Sequence, residues 1–306
     1  KSGTLNVGDN FALGQGALAV TGNANLRANV PGTVLGNALT LGAGTTLNVD
    51  GSNPLALIGT IDGGGALALS GPGAVVLAGA NTYSGGTTVS GTTLGVVNPT
   101  GSATGSGAVQ VQAGGALVGN GSIAGTVSVG SGLLEPGLGG AGTLTVGGLN
   151  LTAGSVLSYE LGEAGVAGGT FNDLINVNGN LQLDGTLDIA QSAGGKFGAG
   201  LYRLINYTGT LTDNGLDIGT APTDGKNLQV QTSVANQVNL INLDGLALTL
   251  WDGGNPANFN DGKIAGGSGI WRAGGSTESW TGIDGKLNAG WQQDGVAIFS
   301  GTAGTV

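Results

Sequence analysis

The sequence predicts an all-β fold, an elongated three-sided parallel β-solenoid, and three observations carry that expectation. Short alternating apolar segments recur roughly every eight to ten residues along most of the chain. Gly-Gly, Asn-Gly, Ser-Gly and Pro-Gly pairs separate them, supplying the positive φ or preset turn that a chain needs to change direction after each strand. Ionic side chains are scarce, with 8% charged residues beside 67 glycines and 40% hydrophobic residues, so no ordinary charged surface is present.

Taken in order, the segments Ala66-Leu-Ala-Leu, Ala74-Val-Val-Leu, Thr87-Thr-Val, Ala108-Val-Gln-Val, Ala116-Leu-Val, Thr126-Val-Ser-Val and Thr143-Leu-Thr-Val are each strand-length. Helices do not fit between such frequent breakers. A sandwich would show longer strands and charge-blunted edges, whereas a solenoid of three short strands per coil needs one small inward set per strand and stacks each coil on the last. Coils of roughly 20 to 25 residues fit the spacing, and about 12 to 14 of them at about 4.8 Å each predict a rod about 60 to 65 Å long. Val, Leu and Ile fill its narrow core and Gly and Asn relieve its corners. An uncapped terminal coil would expose unpaired backbone groups, so end-to-end association is expected of an excised segment.

Other classes are excluded by simple arithmetic. Gly does not fall at every third position, as a collagen triple helix requires. No apolar stretch approaches the roughly 18 to 20 residues that span a bilayer as a helix. Cys and His are both absent, removing disulfides, thiolate metal sites and the commonest general base. The net charge of -10 and the single, scattered placement of Lys1, Arg27, Lys196, Arg203, Lys226, Lys263, Arg272 and Lys286 exclude nucleic acid as an expected partner. An opening at Lys1 without Met and a close on Gly-Thr-Val read as an internal piece of a longer polypeptide.

The run from Gly73 to Leu94 contains Leu77-Ala-Gly-Ala-Asn81-Thr82-Tyr83-Ser84-Gly85-Gly86-Thr87-Thr88. It resembles the passenger-associated transport repeat, also described as the autotransporter-associated β-strand repeat. There, an apolar strand meets an Asn-Thr-Tyr corner and a Gly-Gly turn before the next strand. Asn172 to Ile189, followed by Gly198 to Ile205, resembles the later coils of autotransporter passengers. The resemblance covers most of residues 60 to 306, while residues 1 to 60 share the period more than the motif. It implies a right-handed parallel β-helix, type V secretion through the chain's own C-terminal outer-membrane β-barrel, and display or release at the surface of a Gram-negative bacterium. Absence of Cys fits that route, because disulfides would obstruct a narrow pore. No Gly-Asp-Ser-Gly nucleophile turn represents the family's proteolytic subgroup.

All four tryptophans, Trp251, Trp271, Trp280 and Trp291, lie in the last fifth of the chain. The block closing on Ala297-Ile-Phe-Ser resembles segments that recur between β-helical modules of very large autotransporters. The expected organisation is a β-helix over 1–245, with its transport repeat at about 73–94, and over 246–306 a Trp-containing junction that starts a further module. The tryptophans read first as packing of that junction, since a new solenoid start must bury its first coil; the alternative is a platform for carbohydrate or protein.

Candidate chemistry is thin. Asp184 with Asp188, and Asp213 with Asp217, have strand spacing for paired carboxylates, but each pair straddles a Gly and reads as solvated corner residues. Arg203 is the one base placed as a polysaccharide lyase would require, without the clustered Asp ligands. Gly266-Gly-Ser-Gly-Ile-Trp lacks the Asp of the calcium-binding nonapeptide, so no metal and no cofactor is expected. Gly-rich turns are not followed by helix N-termini that would hold phosphate. The sequons at Asn120, Asn150 and Asn206 read as polar turns. Tyr83 suits a packed corner whose hydroxyl finds a backbone partner.

The function expected is therefore that of a non-enzymatic, surface-displayed stalk that contributes to adhesion and to export by vectorial folding. The alternatives are a direct adhesin for host matrix or glycans, or for copies of itself in aggregation and biofilm, and more remotely a polysaccharide-active β-helix enzyme.

Overall fold

A computed structural model describes residues 3–222, 227–243, 248–272, 278–291 and 295–306. The expected module boundary at about 245 falls outside the described residues. Most of the chain is a parallel β-helix with three faces. The first face stacks Thr4–Val7, Ala24–Ala28, Thr46–Val49, Ala66–Leu69, Thr87–Val89, Val109–Val111, the second halves of Ser122–Val129 and Thr143–Leu151, Leu181–Leu183 and Leu211–Asp213. The second face runs from Thr33–Leu35 through Val75–Leu77 and Ala116–Gly119 to Asp217–Ile218. The third begins with Leu18–Val20, Leu39–Leu41 and Ile61–Gly63, and resumes as strand from Ser122.

Strand alternation explains the core. In Ala66–Leu69 and Val156–Leu161 every second side chain is buried, and in-register stacking aligns those side chains from coil to coil. One inward column of the first face reads Leu5, Leu26, Val49, Leu69, Val89, Val111, Val129, Leu151. Each rung supplies one aliphatic side chain and receives contact from the rungs above and below, so no residue larger than Leu is needed there. All seven segments singled out by alternation overlap strands.

The coil count expected from the sequence is corrected. The first face has ten parallel rungs, giving about 43 Å at ~4.8 Å per step. Successive partners are 20 residues apart at Thr46↔Ala66 and 22 at Thr87↔Val109. The spacing rises to 31 at Thr143↔Leu174 and at Thr186↔Asp217. Corner segments such as residues 162–173 lengthen the later coils without adding rungs, because loop length costs little once the flanking strands stack.

The parallel stack ends where Gly200–Tyr207 pairs antiparallel with Gln237–Asn242, which pairs antiparallel with Leu228–Gln231. Beyond it lies a separate four-stranded sheet ordered Asn288–Ala289, Trp280–Thr281, Leu248–Trp251, Val296–Phe299. A 3-10 turn, Pro256–Asn258, is capped by Asn255, whose Oδ1 accepts from Ala257 N at 3.2 Å. The buried apolar residues form two clusters: one runs through the solenoid, and a small one joins Val234, Leu250 and Ile264.

Candidate functional site

The transport-repeat motif occupies the third face where regular strand is missing. Between Ile61–Gly63 and Ser122, backbone bonds continue the stack, with Thr82 N donating to Ile61 O at 2.8 Å and Asn81 N to Ser102 O at 2.7 Å. In the earlier coils, Leu18 N donates to Ala38 O and Leu39 N to Thr60 O. Ile61 N instead donates to Asn81 Oδ1 at 2.7 Å, while Asn81 Nδ2 donates to Ala103 O at 2.6 Å. One buried amide therefore replaces a missing backbone partner on each side and ties its own coil to the coils before and after it.

The remaining motif residues shape that corner. Leu77 is a core residue of the second face, and Thr82 points to solvent. Tyr83 is fully buried and its hydroxyl meets Thr87 Oγ1 at 2.6 Å, a side-chain partner in place of the backbone partner expected. Burial pushes the Tyr83 phenol well up, with the Thr87 hydrogen bond opposing in part. Gly85 has no room for a side chain, since a Cβ there would lie 2.4 Å from Gly65 C; Gly86 has φ of +85°.

Sequence reading missed the residues that continue this stitching. Asn98 Oδ1 accepts from Ser122 N at 2.9 Å, and Ser102 Oγ accepts from Ala124 N at 3.0 Å. Asp173 is buried, its Oδ1 accepting from Gly142 N at 2.7 Å and its Oδ2 from Glu160 N at 2.6 Å. Burial, aided by the nearby charges of Glu160 and Glu135, pushes its carboxyl up to about 7 against the two backbone donors. The available signal was an Asn, Ser or Asp adjoining a break in apolar alternation, a pattern shared with many solvated turns.

The four tryptophans converge in the terminal sheet. Ring centroids lie 5.1 Å apart for Trp251 and Trp280, 5.3 Å for Trp271 and Trp280, 5.0 Å for Trp271 and Trp291, and 4.8 Å for Trp280 and Trp291. Trp251 and Trp280 are buried, and Trp251 Nε1 donates to Gly267 O at 2.8 Å. Trp271 is 43% exposed and Phe299, 5.5 Å from Trp280, is 51% exposed, so the cluster is packed on one side and open on the other.

The carboxylate pairs are split by corners. Asp184 follows first-face strand Leu181–Leu183 and Asp188 lies in second-face strand Thr186–Gln191; Asp213 and Asp217 divide in the same way. Asp188 Oδ1 accepts from Thr220 N and Oγ1, and Asp213 Oδ2 from Thr232 Oγ1. Arg203 is half-buried and donates to Asn239 Oδ1 and Asn206 Oδ1, each at 2.7 Å, joining the last parallel coils to the antiparallel hairpin. These groups work as corner and cap contacts in the structure. Among the described residues, no three His, Cys, Asp or Glu converge as metal ligands.

No protein-family model matches the chain. It is 45% identical over 297 residues to the adhesin BmaC autotransporter of Brucella suis biovar 1, an alignment covering 88% of this chain and 8% of that protein. The chain thus spans a small fraction of its relative's length. With an extended sequence match joined to a parallel β-helix carrying the Asn81–Thr87 motif, the chain belongs to the passenger domains of bacterial autotransporters.

Proposed function

We propose that this chain is a surface-displayed segment of an autotransporter adhesin, a stalk that spaces adhesive regions and aids export by folding coil upon coil outside the cell. The observation that carries this reading is the Asn81 side chain bonded to the coils on both sides. Such a coil completes its hydrogen bonds only when both neighbours are in place, so each added coil locks the one before it and opposes back-sliding. The adhesive role is taken from the name of the relative. Its implied partners are the outer-membrane β-barrel of the same polypeptide and a host cell surface or extracellular matrix. Neither nucleic acid nor an enzymatic substrate enters the proposal. We place a module boundary at about 245, with residues 246–306 beginning the next module.

A second reading, that this segment binds directly, is favoured by the open side of the aromatic cluster at Trp271 and Phe299, where exposed rings offer apolar contact area. One experiment separates the readings. Non-adhesive cells display the whole passenger, the passenger without residues 73–94, or the passenger without residues 1–306, with surface level read by an outer tag. Removing 73–94 is expected to lower surface yield several-fold; unchanged yield would contradict the export role. For the larger deletion, unchanged adhesion per displayed molecule supports the stalk, and a fall supports direct binding.

A further inference from the structure

The tripeptide Asp-Gly-Lys occurs three times in the last third of the chain, at 224–226, 261–263 and 284–286. The first falls outside the described residues; the other two form the same turn. Asp261 Oδ1 accepts from Lys263 N at 2.8 Å and Asp284 Oδ1 from Lys286 N at 3.1 Å, and Gly262 and Gly285 both have positive φ. The two turns are clamped together. Asn260 N donates to Asn288 Oδ1 at 2.8 Å, Asn288 N to Asn260 Oδ1 at 2.7 Å, and Gly262 N to Gly285 O at 3.2 Å. A Cβ on Gly285 would lie 2.4 Å from Lys263 O, so only glycine lets the second turn lie on the first.

Both turns open on one cleft of about 600 Å³, where the end of the stack contributes Tyr207, Thr232 and Ser233 and the loops beyond it contribute Lys263, Asp284 and Lys286. The join is fixed by Ser233 Oγ donating to Ile283 O at 2.8 Å and Ile264 N to Ser233 O at 3.1 Å. A chain of net charge -10 thus brings two of its eight bases, 23 residues apart in sequence, to a single cleft. Both lysines are exposed. Among the described residues Lys263 has no ion-pair partner, and Lys286 Nζ is 3.8 Å from an exposed Asp284, a contact worth little in water. Tyr207 is only 8% exposed, yet its hydroxyl has no hydrogen-bond partner among those residues.

We propose that this cleft binds an acidic sugar, a hydroxyl-rich ring bearing one carboxylate. The ammonium groups of Lys263 and Lys286 and the unpaired Tyr207 hydroxyl are donors without an acceptor of their own, the set that a carboxylate satisfies with charge-assisted hydrogen bonds. Asp284 accepts from ring hydroxyls, and Val230 and Ile283, which also line the cleft, offer the ring carbons an apolar contact. The volume is that of a small-molecule site. The ligand carries one charge and not many, because Asp213, whose Oδ2 accepts from Thr232 Oγ1 at 2.6 Å, and Asp261 stand beside the cleft with Asp284. A polyanion would meet these carboxylates and the net negative charge of the whole chain. The site shares no residue with the transport repeat or with the open aromatic face at Trp271 and Phe299, so it stands or falls apart from the stalk and platform readings.

The test is titration of the full chain, followed by calorimetry and ligand-observed NMR, with D-glucuronate, N-acetylneuraminate, glucose, acetate and heparin. At least one of the two acidic sugars is expected to bind with a Kd of about 1 mM, and which of them does so separates a uronic from a sialic source. Glucose and acetate should each bind about tenfold more weakly. Lys263→Gln and Lys286→Gln should each weaken the sugar about tenfold, the loss of one charge-assisted hydrogen bond, at unchanged tryptophan fluorescence. Tyr207→Phe, which keeps the buried ring, should weaken it about fivefold, and Lys196→Gln, an exposed lysine on the stack, should change nothing. Glucose binding as tightly as the acidic sugars would overturn the role of the carboxylate, acetate doing so would overturn the sugar, and heparin displacing both would overturn the single charge. No saturable binding of either sugar up to about 100 mM, or binding that survives Lys263→Gln and Lys286→Gln together, would overturn the site.

Discussion

The coil stack and the terminal sheet solve the burial problem in opposite ways. In the stack, columns such as Leu5, Leu26, Val49 and Leu69 repeat one small aliphatic contact at every rung, and the ladder is parallel throughout. Its extent comes from repetition, since each coil needs only its two neighbours. The terminal sheet has four strands, and it gathers Trp251, Trp271, Trp280, Trp291 and Phe299 into one aromatic cluster. Few strands must then cover more area per residue, which aromatic rings do and Val cannot. A second, smaller cluster joins Leu250 of this sheet and Ile264 to Val234 of the hairpin that ends the stack. Where repetition is available the core can be small and aliphatic; where it stops, side-chain size replaces it.

That contrast can be broken first at Trp251. Replacing this buried ring by Ala is expected to cost the terminal sheet about 3 to 5 kcal/mol and to leave the coil stack standing. Thermal melting followed by Trp fluorescence should shift down while the far-ultraviolet transition of the stack does not; a common shift in both would show that the regions fold as one unit.

A smaller effect sharpens the view of the stack. Asp173 joins two long coils with its carboxyl held up to about 7, above the ordinary 3.8, by burial and by the nearby charges of Glu160 and Glu135. A carboxyl whose folded value is raised favours the folded state most when protonated. Its contribution is fully present below about pH 4 and is lost as the pH rises through about 7. Unfolding free energy measured in urea should therefore fall between pH 4 and pH 8, on the order of a few kcal/mol at most. Glu135→Gln should flatten the slope, and an identical slope in that variant would contradict the coupling.

Much of the stack was legible in the sequence because a period of two in side-chain burial and Gly at corners both leave marks that survive without coordinates. Ala66–Leu69, Thr87–Val89 and Val109–Val111 lie where alternation puts them. The coil count was not legible: residues 162–173 and 192–199 lengthen corners without apolar alternation, so dividing length by a fixed period overcounts rungs. The roles of Asn81, Asn98 and Ser102 were hidden for a related reason. A polar residue at a corner looks the same whether it faces water or a backbone group one coil away. The Asp184/Asp188 and Asp213/Asp217 pairs failed as neighbours because Gly185 and Gly215, both at positive φ, lie between strands on two faces.

The most direct test is native-state hydrogen exchange on Asn81→Ala. Loss of one amide leaves Ile61 N and Ala103 O without partners in the coils on either side. Protection should drop by one to two orders of magnitude at Ile61, Thr82 and Ala103 and stay unchanged in Thr4–Val7 and Thr186–Gln191. A loss confined to Asn81's own coil, or one spread evenly over the whole stack, would contradict the claim that this side chain stitches three coils together.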